Sequence, residues 1–110
     1  MENIVADRLI SLSELVEKHT KLLDGEIILD VRNPDEYADG HIAGSINIPL
    51  PDLEARADEL KSYSSIYIHC RMGGRAKKAF DLLDSLGFTT THCLQEAGMK
   101  AWTDAGHPVV

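Results

Sequence analysis

The chain alternates short apolar runs with amphipathic segments along most of its length. Four runs rich in β-branched residues predict strands at 27–31, 46–48, 66–70 and 90–94. Between and around them, apolar residues at helical spacing predict helices near 12–23, 34–40, 51–60, 76–86 and 98–105. Strands that alternate with helices imply an α/β fold, with a parallel sheet covered on both faces and right-handed crossovers.

Two of the predicted helices carry clear start signals. Ser11 and Glu14 have the spacing of a capping box, and Asn33 is a good N-cap before Pro34 at the first helical position. Functional sites of parallel sheets lie at the carboxyl ends of the strands. Cys70, which closes the 66–70 run, is therefore placed where chemistry is expected.

Length and composition narrow the class of protein. The 110 residues, 44% of them hydrophobic, suit one domain over 1–110 with one modest core. The net charge of −7 argues against general binding to nucleic acid or to an anionic membrane. No apolar stretch approaches the roughly 20 residues of a membrane span, and the first residues lack the basic and apolar regions of a signal peptide, so we expect a cytoplasmic protein.

Cys70 and Cys93 are the only cysteines, which is not the usage of a disulfide scaffold. Neither has a second cysteine or a histidine at ligand spacing, so we expect neither a zinc site nor any other cofactor.

The residues after Cys70 favour a reactive thiolate. A strand-to-helix loop aims backbone N–H groups into its concavity, and the following helix adds its positive end. Arg71 and Arg75 bring fixed cations, and Gly73 and Gly74 let the backbone curl tightly. The segment from Lys61 to Lys78 holds five cations and no Asp or Glu, which indicates an anionic substrate. The alternative, a merely solvated helix start, is less favoured because cations oppose the helix dipole there.

Three blocks of sequence resemble a known family. The loop Cys70-Arg71-Met72-Gly73-Gly74-Arg75 is similar to the active-site loop of single-domain rhodaneses. Segments 30–49 and 94–108 are similar to the upstream and C-terminal signatures of that family, in the same order and over nearly the whole chain. The resemblance implies a rhodanese-like fold, with a five-stranded parallel sheet flanked by helices, and transfer of a sulfane sulfur.

The resemblance also implies roles for the loop residues. Cys70 would be the nucleophile that carries sulfur as a persulfide, and the backbone amides from Arg71 to Arg75, through Met72, Gly73 and Gly74, would cradle it. We expect Arg71 and Arg75 to hold the oxyanion of a small anionic donor such as thiosulfate, unless they serve only the architecture of the loop. Cyanide, a thiol or a thioredoxin-like protein would accept the sulfur.

The sequence departs from the family at two places, and other functions stay open. Ala76 stands where a hydroxyl residue is common, and Ala97-Gly98 where paired glycines are common. A phosphatase or arsenate reductase on this fold would need its arginine six positions after the cysteine, whereas Arg75 is five positions after Cys70. A non-catalytic binding module is the other alternative, and the retained Cys70 argues against it.

Several other polar residues receive structural interpretations. Asp30 and Arg32 stand at the end of a predicted central strand, a usual place for catalytic groups. We nevertheless expect Arg32, Asp35 and Glu36 to pair among themselves and to hold the loop in shape, with a minor substrate contact from Arg32 as the alternative. We expect packing roles for the remaining candidates: Tyr37, His41, His69, Cys93 and Trp102. For Cys93 the alternative is a resolving role, in which it forms a disulfide with Cys70.

Overall fold

The computed structural model describes residues 8–94 and 98–110, in which five parallel strands form one sheet in the order β1-β5-β4-β2-β3. The strands are β1 (Leu9–Ile10), β2 (Glu26–Asp30), β3 (Ser45–Asn47), β4 (Ser65–His69) and β5 (Thr91–Leu94). This confirms the five-stranded parallel sheet that the resemblance implied. Four of the strands match the apolar runs of the sequence to within one or two residues.

Within these described residues, five α-helices connect and cover the strands. They are α1 (Leu12–His19), α2 (Pro34–Asp39), α3 (Leu53–Arg56), α4 (Gly74–Ser85) and α5 (Gly98–Asp104). The capping box of α1 is present: Ser11 Oγ accepts a hydrogen bond from the Glu14 amide at 3.2 Å, and Glu14 Oε1 accepts one from the Ser11 amide at 2.8 Å. None of the described helices is long and apolar enough to cross a membrane.

Each face of the sheet carries its own apolar cluster. Ile66, Ile68 and Cys70 point into one cluster, which the buried residues of α3 and α4 complete. Tyr67 points to the opposite face, where Trp102 of α5 and Leu15 of α1 are packed. This alternation follows from the period of two in a strand, and it places Cys70 on the α4 side of the sheet.

The structure corrects three element predictions. The helix expected over 51–60 is a single α turn, α3, between 3₁₀ turns at Leu50–Asp52 and Ala57–Leu60, and Pro51, which lacks an N–H, falls within the first of these turns. The first helix ends at His19 rather than near residue 23; Thr20 is its C-cap, and the Thr20 hydroxyl donates a hydrogen bond to the Glu17 carbonyl. The helix expected from 76 already begins at Gly74.

Candidate active site

Cys70 lies in the short loop that joins the end of β4 to the start of α4. Its sulfur accepts two backbone hydrogen bonds, from the Gly73 amide at 3.0 Å and from the Ala76 amide at 3.2 Å. Only 1% of the residue is exposed. The loop therefore curls over a nearly buried sulfur and points N–H groups at it.

The backbone of Gly73 makes this curl possible. Gly73 is the N-cap of α4 and has a φ of 108°, in the left-handed region that favours glycine. The first amides of a helix have no partner within the helix, and its N-terminus carries a partial positive charge. Ala76 belongs to this first turn, so its amide is free to serve the sulfur. Both contacts stabilise negative charge on Cys70 Sγ.

The sequence prediction of the amide donors covered residues 71 to 75, which includes Gly73 but stops one residue before Ala76. The Ala76 donor could have been predicted from its position, since each residue in the first turn of a helix has a backbone N–H without a partner in that helix. Ala76 was noted for its lack of a hydroxyl, whereas the group that contacts the sulfur is its backbone amide.

Arg75 forms an ion pair across the molecule with Glu36 of α2. Arg75 Nη1 donates to Glu36 Oε1 at 2.6 Å and Nη2 donates to Oε2 at 3.1 Å. The hydrogen bond from Arg75, assisted by one from the Asn33 amide, lowers the pKa of Glu36 from 4.5 to about 2. This two-pronged contact engages the guanidinium with protein, which supports the architectural interpretation of Arg75.

Arg71 directly follows Cys70 in the sequence, and its side chain is exposed. Within residues 8–94 and 98–110 the structure gives its guanidinium no ion pair, whereas Lys77 and Lys100 pair with Asp81 and Asp104. A cleft of about 280 Å³ opens beside it, and its charged lining residues are three cations and three acids: Arg32, Arg71, Lys100, Glu36, Asp39 and Asp104. Arg71 is the cation of this lining that has no ion pair in the described residues. Met72, also exposed, presents an apolar side chain next to it.

A buried ion pair between Arg32 and Asp30 lies at the end of β2, the strand next to β4. Arg32 Nη2 donates to Asp30 Oδ2 at 2.7 Å and to the Gly40 carbonyl at 2.8 Å, and Arg32 Nε contacts both Asp30 oxygens at 3.0 Å. The expected pairing of Arg32 with Asp35 or Glu36 was therefore wrong. Asp30 is closer along the strand end and is fully buried, whereas Glu36 turns to Arg75. The architectural role expected of this cluster is supported.

Residues 11–105 match the Rhodanese-like domain family. The chain belongs to this family. A chloroplastic thiosulfate sulfurtransferase 16 of Arabidopsis thaliana is 35% identical over 102 residues, which cover 82% of this chain and 84% of that protein. A rhodanese-related protein of Thermoplasma volcanium has a crystal structure with a TM-score of 0.81 and 33% identity, covering 94% of this chain and 97% of the other.

Other relatives of this rhodanese-like domain are longer. A Bacillus subtilis protein named as putative sulfur carrier protein YrkF is 41% identical over 76 residues, which are 69% of this chain but 40% of that protein. A further curated relative is covered over 59% of its length. The relatives of this chain thus include proteins that are named as sulfurtransferases.

The histidines of this rhodanese-like domain have the packing roles expected of them. His69 is 1% exposed, burial lowers its pKa, and its Nδ1 lies 3.4 Å from the Cys70 carbonyl. His41 stacks on Tyr37 at 3.7 Å and hydrogen-bonds through Nδ1 to the Tyr37 carbonyl at 2.8 Å. Neither contacts the sulfur of Cys70. Trp102 is fully buried and donates through Nε1 to the Pro108 carbonyl at 2.8 Å.

Cys93 is buried in β5, and both cysteines are free thiols. Burial raises the pKa of Cys93 to about 11, and its sulfur contacts only the Leu94 carbonyl, at 3.8 Å, among the described hydrogen bonds. These features support the packing interpretation of Cys93. In the part of the chain that the structure describes, no group of three or more potential ligands is arranged to hold a metal ion.

Proposed function

We propose that this rhodanese-like domain transfers a sulfane sulfur from a small anionic donor such as thiosulfate to a thiol or cyanide, through a persulfide on Cys70. The observation that carries the proposal is the pair of backbone amides, Gly73 and Ala76, that donate to Cys70 Sγ at the start of α4. Amides in this arrangement stabilise a thiolate before the reaction and a persulfide anion after it.

The proposed reaction has two displacements. The Cys70 thiolate attacks the outer sulfur of thiosulfate, a new S–S bond forms, and the S–S bond of the donor breaks with sulfite leaving with the electron pair. The thiolate of the acceptor, or cyanide, then attacks the outer sulfur of the persulfide, and Cys70 leaves as a thiolate. No external oxidant or reductant is required. Covalent catalysis divides one difficult transfer into two easier steps.

Arg71 is proposed to hold the oxygens of the donor. It is the loop cation without an ion pair in the described residues, and it lines the cleft of about 280 Å³ together with Met99 and Lys100. A guanidinium offers a planar fork to two oxygens. The near-burial of Cys70 favours a donor with a slender, exposed outer sulfur, and thiosulfate has this form.

The acceptor is proposed to be a thiol, either a small molecule or a thioredoxin-like protein in the cytoplasm, where cysteines are kept reduced. The similarity to a protein named as a putative sulfur carrier supports a protein partner in sulfur transfer. The negative charge of the chain supports neither nucleic acid nor an anionic membrane as partner.

Steady-state kinetics test the proposal. We expect thiocyanate formation from thiosulfate and cyanide with the parallel double-reciprocal lines of a two-step covalent mechanism. Cys70→Ser should abolish turnover because it removes the atom that carries the sulfur. Cys93→Ala should retain it and serves as the matched control. If Cys70→Ser forms thiocyanate at the parental rate, the proposed mechanism is wrong.

A further inference from the structure

Gly98, the first residue of α5, lies directly against the backbone of the Cys70 loop. Its φ is 54°, and a Cβ placed on it would stand 1.9 Å from the Cys70 carbonyl oxygen and 2.8 Å from the Cys70 carbonyl carbon. Real Cβ atoms essentially never come within 3.0 Å of such atoms. Any other residue here would therefore force α5 and the loop apart by about 1 Å.

The first turn of α5 is also hydrogen-bonded to this loop. The Met99 amide donates to the Cys70 carbonyl at 2.8 Å, and the Lys100 amide donates to the Arg71 carbonyl at 3.2 Å. Amides in a first helical turn need partners outside their helix, and here the carbonyls of the loop supply them. The close approach at Gly98 is what allows both bonds to form.

The loop is thus held from two sides. Gly73 and Ala76 hold the sulfur of Cys70 from α4, while the first turn of α5 holds the carbonyls of Cys70 and Arg71. A shift of the Cys70 peptide would move Sγ relative to the two amides, and a shift of the Arg71 peptide would move the cation that lines the cleft.

We propose that Gly98 is a positioning residue for sulfur transfer: its missing side chain lets α5 dock on the Cys70 and Arg71 carbonyls and thereby sets the position of the Cys70 sulfur under the loop amides. This inference rests on the proposed function of Cys70. It gives the C-terminal part of the chain a role in the site without any contact between that part and the sulfur.

Gly98→Ala tests the inference against Gly106→Ala. Gly106 has a φ of 82°, and no described residue apart from its chain neighbours lies within 4 Å of the position that a Cβ would take, so alanine there strains the backbone without a collision. We expect Gly98→Ala to slow the single-turnover loading of sulfur from thiosulfate by about 10- to 100-fold, the cost of misplacing a reacting group by roughly 1 Å. Gly106→Ala should stay within about twofold of the parent. Circular dichroism checks that both variants are folded.

A readout that simple loss of stability would not move is the rate at which iodoacetamide alkylates Cys70 at neutral pH, measured in folded protein with Cys93 replaced by alanine. In Gly98→Ala this alkylation should be slower than in the parent, because the amides no longer meet the sulfur. In Gly106→Ala the alkylation rate should be unchanged.

A second pair of variants covers the case in which Gly98→Ala does not fold. Lys100→Pro removes the amide that donates to the Arg71 carbonyl, and Lys100→Ala keeps that amide. Both lose the ion pair with Asp104. Proline is tolerated in a first helical turn. We expect loading in Lys100→Pro to be slower than in Lys100→Ala by roughly fivefold, the loss of one hydrogen bond.

The inference is overturned if Gly98→Ala matches Gly106→Ala in both loading rate and alkylation rate. Should Gly98→Ala be unfolded, the inference is overturned if Lys100→Pro matches Lys100→Ala in loading rate. Failure of the proposed function has a different signature, namely a parent protein that takes no sulfur from thiosulfate. The alkylation rates would then still decide whether Gly98 positions the sulfur.

Discussion

Cys70 directly follows β4 and Cys93 lies in the neighbouring strand β5, and both face the same apolar cluster. They are 1% and 3% exposed, yet the hydrogen bonds around the two sulfurs are opposite in direction. Cys93 donates its only described hydrogen bond, a weak one to the Leu94 carbonyl. Cys70 accepts two, from the amides of Gly73 and Ala76. Burial alone therefore does not determine whether a cysteine is inert. What distinguishes the two cysteines is the direction of their hydrogen bonds. A carbonyl that accepts from a thiol keeps the proton on the sulfur, whereas N–H groups that donate to the sulfur favour the loss of that proton.

Removing one of the amide donors should lower the reactivity of the Cys70 sulfur. Ala76→Pro deletes the N–H that donates to the sulfur, in a first helical turn where that N–H has no helical partner. We expect alkylation of Cys70 by iodoacetamide at neutral pH to slow by about 10- to 100-fold, the effect of one hydrogen bond to a charged group. Ala76→Gly, which keeps the N–H, is the control and should react at nearly the parental rate. Equal rates in the two variants would mean that this amide does not activate the sulfur.

Alkaline pH should lower the stability of the folded protein through Cys93. Burial raises the pKa of Cys93 from 9.0 to about 11 in the folded protein, so between these values unfolding releases a proton and becomes easier as pH rises. We expect Cys93 to lower the free energy of unfolding by about 2 to 3 kcal/mol across this range. Urea titrations of the parent and of Cys93→Ala give the difference. A parallel pH dependence in the two proteins would contradict the buried-thiol description.

Acidic pH tests the ion pair between Arg75 of α4 and Glu36 of α2. The pKa of Glu36 is lowered from 4.5 to about 2, chiefly by Arg75, so its stabilisation is present above pH 4.5 and is lost as pH falls towards 2. After allowance for partial exposure of the pair, Glu36→Gln should lower the free energy of unfolding, measured by urea titration, by about 1 to 2 kcal/mol at neutral pH and should not change it near pH 2.

The matched control for this contact is Glu59→Gln, which breaks the exposed pair with Arg56. It should leave the urea midpoint unchanged, since exposed pairs contribute little. Equal effects of the two substitutions would mean that the Glu36 contact is also only a surface ion pair.

The smallest effect is expected from the exposed charge beside Cys70. Arg71→Ala should raise the KM for thiosulfate by roughly three- to tenfold with kcat little changed, since it removes one charge-assisted contact to the donor. Lys78→Ala, another exposed cation of the same loop-and-helix segment, is the control and should shift KM less. The difference between the two should shrink at high salt, because solvent-exposed charges are screened. A KM unaffected by Arg71→Ala would remove this residue from the donor site.

Local features of the sequence predict much of this fold. Alternating apolar runs locate β2 to β5, and the loop from Cys70 to Arg75 predicts the proposed nucleophile, because these signals lie within a few adjacent residues. Strand β1 has only two residues, Leu9 and Ile10, and no pattern of its own. Its strand character comes from pairing with Cys93 and Leu94, which no local window contains.

The parts of the site that sequence does not predict are contacts between distant segments. Glu36 and Arg75 are 39 positions apart, so their pairing depends on how α2 and α4 sit on the sheet. The crowding at Gly98 arises only when α5 docks on the loop. The sequence does draw attention to Ala97-Gly98 as an unusual pair; Ala97 lies outside the described residues, and the crowded position is Gly98.

The most direct test of the central claim is to locate the sulfur after a single exposure to thiosulfate. Protein with both cysteines reduced is mixed with thiosulfate, freed of excess donor and digested, and its peptides are weighed by mass spectrometry. We predict the added mass of one sulfur atom on the peptide that contains Cys70 and none on the peptide that contains Cys93. Sulfur on Cys93, or on neither cysteine while thiocyanate is still formed, would contradict the account.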